Sequence, residues 1–215
     1  MRVTRPEFTC PLIVIDDFLP TGDASGLLQE AIDLKPIYMP GSVGNGPDNK
    51  VNRDFRRNDV VMLNSVFAAD QSRSVILRTL KKRVAEGDLN RVWHEGHLIF
   101  DIINYCTWRE TVLSRYGRCE FYGRHQDTMR DRDNPGFITR RLVTLVYYMN
   151  REPEQFAGGG LRLYEKNKEF RVEPRHNRAV IFPSFVFHEV ENVQLPEDAP
   201  WDSGRFSLNL WMGFR

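Results

Sequence analysis

The chain has 215 residues, which at roughly 100–200 residues per domain fits one domain with elaborations rather than an assembly of several. Hydrophobic residues at 41% and charged residues at 27% exclude a disordered, collagen-like or coiled-coil chain. Thirty Lys and Arg against 29 Asp and Glu leave a formal charge of +1, which speaks against a general grip on nucleic acid, since that rests on clustered excess positive charge.

The N-terminus is polar, and the apolar run Pro11-Leu12-Ile13-Val14-Ile15 stops at Asp16-Asp17. That is too short for a signal peptide or a membrane span, so a soluble, cytoplasmic protein with no membrane partner is expected. Three cysteines, Cys10, Cys106 and Cys119, lack metal-type spacing and are an odd number, which suits a reducing compartment. Leu12 to Ile15 reads as a strand that runs into a helix from Ala24 to Leu34. Lys35 to Arg53, with Pro36, Pro40, Gly41, Gly44, Gly46 and Pro47, has the composition of a long lid or surface loop. Its glycine run lacks the Gly-Lys-Ser/Thr ending of a phosphate loop. Asp59 to Leu63 predicts a strand, and Ser74 to Val84 and Gly96 to Tyr105 carry the stripes of amphipathic helices.

After Cys106 the pattern changes to short β-rich runs parted by turn residues. These are Thr111 to Tyr116, Glu120 to Asp127, Arg141 to Tyr148, Leu161 to Tyr164, Glu169 to Val172, Ala179 to Phe182, His188 to Val193 and Arg205 to Phe214. Such a density of strands predicts an α+β chain with a mainly β core, an antiparallel sandwich or barrel of jelly-roll type buttressed by the N-terminal helices. The expected organisation is one domain over 1–215, with 1–110 as helical support and lid and 111–215 as the core.

Of five histidines, His94, His97 and His176 are expected to be surface or hydrogen-bonded residues. His125 and Asp127 differ because they lie two apart in a predicted strand, where period-2 alternation puts both on one face. A carboxylate on an inner face calls for a partner or a cation. His188 completes the group if its strand lies alongside, and two imidazoles with one carboxylate leave the opposite metal positions open, the arrangement of non-haem Fe(II) oxygenases. Arg205 and Ser207 share a face of the last predicted strand. Arg205 can bind a ligand carboxylate with its planar fork or make a structural ion pair at a strand end, and spacing leaves both readings open.

The run Tyr116-x-x-Cys119-x-x-Tyr122-x-x-His125-x-Asp127 is followed by Leu145-Val146-Tyr147-Tyr148-Met149-Asn150, Gly158-Gly159-Gly160-Leu161, Phe182-Pro183-Ser184, His188-Glu189-Val190 and Gly204-Arg205-Phe206-Ser207. In that order these motifs resemble the Fe(II)/2-oxoglutarate-dependent dioxygenases, within them the prolyl-hydroxylase-like branch. The resemblance implies a double-stranded β-helix, with His125, Asp127 and His188 as metal ligands. It implies that Arg205 and Tyr148 hold the distal carboxylate of 2-oxoglutarate, that Ser207 is a second donor and that Tyr116 lines the pocket. It also implies Fe(II), 2-oxoglutarate and O₂, with ascorbate as a supporting reductant and succinate and CO₂ as co-products. Hydroxylation of an unactivated C–H is the default outcome, because halogenating members replace the carboxylate ligand; desaturation and ring closure use the same ligands. Cys119 departs from the glycine usual in relatives. The expected substrate is a small molecule or a carrier- or peptide-tethered amino-acid group; the arginine-rich segment after Asp127 offers cations to an anionic group of it, with a solvated loop of mixed charge as the favoured reading. The alternatives are a peptidyl-prolyl hydroxylase, a cupin-type metal-binding jelly roll without 2-oxoglutarate, and a catalytically silent interaction module.

Overall fold

A computed structural model of the chain describes residues 1–4, 6, 8–44, 49–85, 103, 105–128 and 141–214. In chain order its elements are β1 (Arg2–Thr4), β2 (Ile13–Asp16), α1 (Thr21–Asp33), β3 (Met39–Pro40), β4 (Arg56–Arg57), β5 (Asp59–Met62), α2 (Leu63–Val66) and α3 (Val75–Ala85). There follow β6 (Trp108–Tyr116), β7 (Phe121–His125), β8 (Val143–Met149), β9 (Ala157–Gly158), β10 (Leu161–Glu165) and β11 (Lys168–Val172). The last four are β12 (Arg178–Pro183), β13 (Phe187–Val190), β14 (Val193–Gln194) and β15 (Arg205–Gly213).

The strands form a major sheet in the order β1-β2-β12-β8-β15-β6-β5-β3 and a minor sheet in the order β11-β10-β13-β7-β4, with β9 and β14 as a small separate pair. Every pairing is antiparallel. The architecture is the expected jelly roll.

Strand β8 is buried at every position because both of its faces are covered. Val143, Leu145, Tyr147 and Met149 join α1 and α3 in one core, whereas Val146 and Tyr148 join Leu161, Leu163 and Val190 of the minor sheet in a second. The helices thus cover one face of the major sheet and the minor sheet covers the other. Helix α1 meets the first core through Ala24, Leu27 and Ala31, a single stripe of the helix. Helix α3 does so through Ile76, Leu77, Leu80 and Val84, the stripe read from the sequence.

The first half of the chain does more than buttress. Strands β1 and β2 extend one edge of the major sheet, β3 and β5 the other, and β4 closes the minor sheet beside β7. β1, β3, β4, β9 and β14 are two or three residues long and leave no periodicity to read. The expected helix at Gly96–Tyr105 lies outside the described residues apart from Ile103, which is buried, and Tyr105, which is exposed. The arginine-rich segment after Asp127 lies outside them from 129 to 140. Among the described residues no helix is long and apolar enough to cross a membrane.

Two polar devices fasten the N-terminal elements to the sheet. Asn177, held at φ 57°, accepts from the Leu19 amide at 2.9 Å and the Tyr147 hydroxyl at 3.1 Å, and donates to the Leu19 carbonyl at 2.8 Å. Arg178 grips Asp16 with two bonds, Nε to Oδ1 at 2.6 Å and Nη2 to Oδ2 at 3.1 Å, linking β12 to β2. The Arg178 hydrogen bond holds the Asp16 carboxyl below its ordinary value. A carboxyl so lowered stabilises the fold above its unfolded value of about 3.9 and loses that contribution as pH falls through the folded one. Asp16→Asn is therefore expected to cost about 1–2 kcal/mol at pH 7. In urea melts that difference should shrink steadily below about pH 4; a difference independent of pH would show that the ion pair is not its source.

Candidate metal centre and cavity

Strands β7 and β13 lie side by side with His188 directly opposite His125. The ring centroids are 4.3 Å apart. Asp127 reaches the same point by a different route from the one its spacing predicts. Strand β7 ends at His125, and Asp127 sits in the bend beyond it, its amide and that of Thr128 both bonded to the Ser184 carbonyl at 2.9 and 3.1 Å. A backbone clamp from the β12–β13 connection, rather than the pleat of a strand, aims this carboxylate inward.

His125 Nε2 lies 3.6 Å from Asp127 Oδ1 and His188 Nε2 3.4 Å from Asp127 Oδ2. One ligand atom from each of the three residues falls within 4.8 Å of the others, close enough to share a metal ion. The outer nitrogens are spoken for: His125 Nδ1 donates to the Gly123 carbonyl at 2.8 Å and His188 Nδ1 to the Val186 carbonyl at 2.9 Å. That fixes the tautomer and leaves each Nε2 lone pair facing the centre. Burial pushes the His188 imidazole down to about 4, so at neutral pH it is uncharged. Burial alone raises the Asp127 carboxyl, but His188 and His125 more than offset it and hold it below the carboxylate range. Thr144 Oγ1 donates to Asp127 Oδ2 at 2.8 Å and lies 2.9 Å from Ser184 Oγ, a support that orients the carboxylate from behind.

The triad opens into a cavity of about 480 Å³ between the sheets. Its floor is β15, whose Arg205, Ser207, Asn209 and Trp211 all line it by period-2 alternation. Trp211 pairs across from Thr144, which bonds Asp127, so the triad lies toward that end of the cavity. Arg205 lies at the other end of the same strand face, six residues along β15 from Trp211.

Arg205 is completely buried. Its Nε donates to the Gly159 carbonyl at 2.7 Å and its Nη1 to Ser207 Oγ at 3.1 Å, and its guanidinium lies 4.8 Å from the Tyr116 ring and 4.9 Å from that of Tyr148. The Gly-Gly-Gly run makes this possible: Gly159 has φ +66°, and a Cβ there would stand 2.7 Å from Arg205 Cδ. Among the described residues no carboxylate pairs with Arg205, so the ion-pair alternative is not realised. Among the described residues neither its Nη2 nor the Tyr148 hydroxyl, both buried, has a hydrogen-bond partner. Burial holds the Tyr148 phenol protonated, pushed up to about 12, and raises that of Tyr116 as well. A buried cation beside an unused O–H donor is the chemical complement of a carboxylate, and 2-oxoglutarate, with a distal carboxylate, fits it. Six of the seven residues singled out in the sequence thus line one cavity, and the seventh, Tyr148, packs against the Arg205 guanidinium.

Residues 111–213 match the family model of the 2OG-Fe(II) oxygenase superfamily. An uncharacterized PKHD-type hydroxylase of Synechocystis sp. is 26% identical over 210 residues, covering 92% of this chain and 61% of that protein. This chain therefore spans about three fifths of the length of that curated relative. Among solved structures, a prolyl-4-hydroxylase of Pseudomonas putida superposes with TM-score 0.64 at 24% identity, over 95% of this chain and 94% of the other. A prolyl hydroxylase of Trichoplax adhaerens, solved with a peptide fragment of a hypoxia inducible factor oxygen degradation domain, gives TM-score 0.64 at 23% identity, over 95% and 84%.

Several residues of the site left little trace in the sequence. Thr144 was visible only as the polar member of an inward-facing set with Val146 and Tyr148. Arg141, 3.6 Å above the Trp211 ring and bonded to Glu110 at 2.7 Å, joins two separate strands with a segment between them. Arg56 belongs to a two-residue strand with no pattern at all.

Proposed function

We propose that this chain is an Fe(II)- and 2-oxoglutarate-dependent oxygenase that hydroxylates an unactivated C–H of a small molecule or amino-acid-derived substrate. In this proposal His125, Asp127 and His188 hold the iron, Arg205 and Tyr148 bind the distal carboxylate of 2-oxoglutarate, Ser207 buttresses Arg205, and Tyr116 walls the pocket. The buried, unpaired Arg205 guanidinium in the cavity of the triad carries the proposal. A cupin-type metal site needs only the triad and gives neither Arg205 nor Tyr148 a task.

When bound, Fe(II) and 2-oxoglutarate supply O₂ activation coupled to decarboxylation, with succinate and CO₂ as co-products and ascorbate as a supporting reductant. The chain's own residues set the conditions. Neutral His188 offers a lone pair at physiological pH, and Asp127 offers one negative charge oriented by Thr144. Protonated Tyr148 and permanently charged Arg205 provide donors at the far end of the cavity. Val146, Leu161 and Val190 line the space between and limit water there. Beyond the triad, Val60, Met62, Val112 and Trp211 give the substrate end an apolar wall beside the Glu110–Arg141 pair. The cavity lies in the range typical for small ligands, about 300–1,000 Å³.

A second candidate substrate, a prolyl residue of a protein, is favoured by the Trichoplax relative with its peptide. Anaerobic addition of 2-oxoglutarate to the Fe(II)-loaded protein should produce a weak visible charge-transfer band; its absence would overturn the oxygenase assignment. Succinate release in air, screened with free amino acids, their N-acyl derivatives and proline-containing peptides, then separates the two substrate classes.

A further inference from the structure

We infer that Tyr122 and Arg56 are positioning residues of the metal centre, linking the orientation of His125 to the chain at the cavity mouth. The inference builds on the proposal that His125 is a metal ligand.

Residues three apart in a regular strand point to opposite faces. Tyr122 and His125 nevertheless stack, with ring centroids 3.6 Å apart and planes 16° from parallel. The pairing explains how. On β13 the step from His188 to Val190 spans two residues, whereas the partners on β7, His125 and Tyr122, are three apart. Strand β7 therefore carries one extra residue, a bulge over Gly123 and Arg124, and that residue turns Tyr122 onto the face of His125. The bulge is itself fixed: the Gly123 amide donates to the Phe55 carbonyl at 2.7 Å, and the Gly123 carbonyl accepts from His125 Nδ1. A Cβ on Gly123 would stand 2.9 Å from the Phe55 ring, so glycine is required.

The other face of Tyr122 is covered by the Arg56 guanidinium, 4.5 Å from the ring centre. Phe55 meets the ring edge-on at 5.9 Å. Arg56 is in turn anchored, with Nε donating to Asn58 Oδ1 at 2.7 Å and Nη1 to the Ser42 carbonyl at 2.8 Å. Ser42, Val43, Gly44 and Asn49 line the cavity on that side. An unbroken series of contacts therefore runs from the Ser42 carbonyl through Arg56 and Tyr122 to His125.

Its physical effect is on the imidazole plane. The Nδ1 hydrogen bond leaves His125 one residual freedom, rocking about the axis through that bond, and a parallel ring at van der Waals distance opposes it. The cation over the far face of Tyr122 holds the phenol flat against the imidazole. A group that orients a metal-bound histidine is typically worth about 10–100-fold in metal affinity.

The test uses Co(II) as the probe, read by calorimetry and by its visible ligand-field bands. Wild type is expected to bind one Co(II), and His125→Ala to lose it; retention of binding by His125→Ala would overturn the ligand assignment rather than the positioning role. Given that control, Tyr122→Leu is expected to weaken Co(II) binding about 10-fold or more and to shift the bands. Tyr122→Phe, which keeps the stack, should stay within about twofold, and Arg56→Met should weaken binding about threefold to tenfold. A purely structural role would lower the melting temperature without changing the affinity or bands of the folded fraction. Folded Tyr122→Leu with wild-type affinity and bands overturns the inference; should that variant not fold, an unchanged Arg56→Met does so instead.

Discussion

Asp127→Ala is expected to abolish metal binding and succinate formation while leaving the metal-free protein folded and modestly less stable than wild type. The two halves have different causes. Asp127 is the one carboxylate of the triad, and substitutions at groups that merely support a ligand cost about 10–100-fold in affinity, so loss of the ligand itself should exceed 100-fold. Without metal, Asp127 is a carboxylate 7% exposed that the neighbouring imidazoles and the Thr144 hydroxyl hold in its charged form. Losing a carboxyl so held costs the fold part of its stability at neutral pH. The Thr144 hydroxyl then keeps Ser184 as its partner. Thermal melts with and without Fe(II) read both halves at once: the metal-dependent rise should vanish in the variant, and the metal-free midpoint should fall only by the smaller amount that the lost carboxylate contributes. Thr144→Val should lie between, binding metal about 10–100-fold more weakly than wild type. Wild-type metal affinity in Asp127→Ala would exclude Asp127 as a ligand.

Arg205→Met should break binding of the co-substrate without disturbing the metal. Removing one partner of a buried charge pair costs about 3–5 kcal/mol, or about 150- to 5,000-fold in the dissociation constant of 2-oxoglutarate. The same quantity can be followed through stability. At 100 times the dissociation constant a ligand stabilises the fold by about 2.7 kcal/mol, which for a chain of this size raises the melting midpoint by about 5–11 °C. Wild type with Fe(II) should show that rise on addition of 2-oxoglutarate and Arg205→Met should not, while both bind Fe(II) alike. Tyr148→Phe removes a neutral donor from the same carboxylate and should cost about 1–3 kcal/mol, a smaller loss with the same pattern. An unchanged affinity in Arg205→Met would return Arg205 to a purely structural role.

Much of this site was legible because its residues obey simple periodicities. Arg205 and Ser207 fall on one face of β15 by alternation, and the helical stripes of α1 and α3 mark the faces that bury. The two residues that break the pattern are instructive. Asp127 does share a point with His125, but the strand has already ended and Ser184, 57 residues on, sets its direction. Tyr122 faces His125 only because β7 contains a bulge, and a bulge is created by the register of a partner strand that spacing within one segment does not reveal. The edge strands were hidden for a related reason. Two residues such as Arg56-Arg57 become a strand because β7 offers them a partner, and the sequence has no local preference to announce.

The alternation of β15 has a consequence for folding fidelity. Its other face, Phe206, Leu208, Leu210 and Met212, is entirely helix-side core. A slip of one residue against β6 and β8 would drive an arginine, a serine, an asparagine and a tryptophan into that core and turn four hydrophobes into the cavity. The chain therefore has no well-packed state in which the central strand is misthreaded and the cavity intact. On the proposed function, capture of 2-oxoglutarate by refolded protein would be a direct reading that its middle strands have found their native alignment.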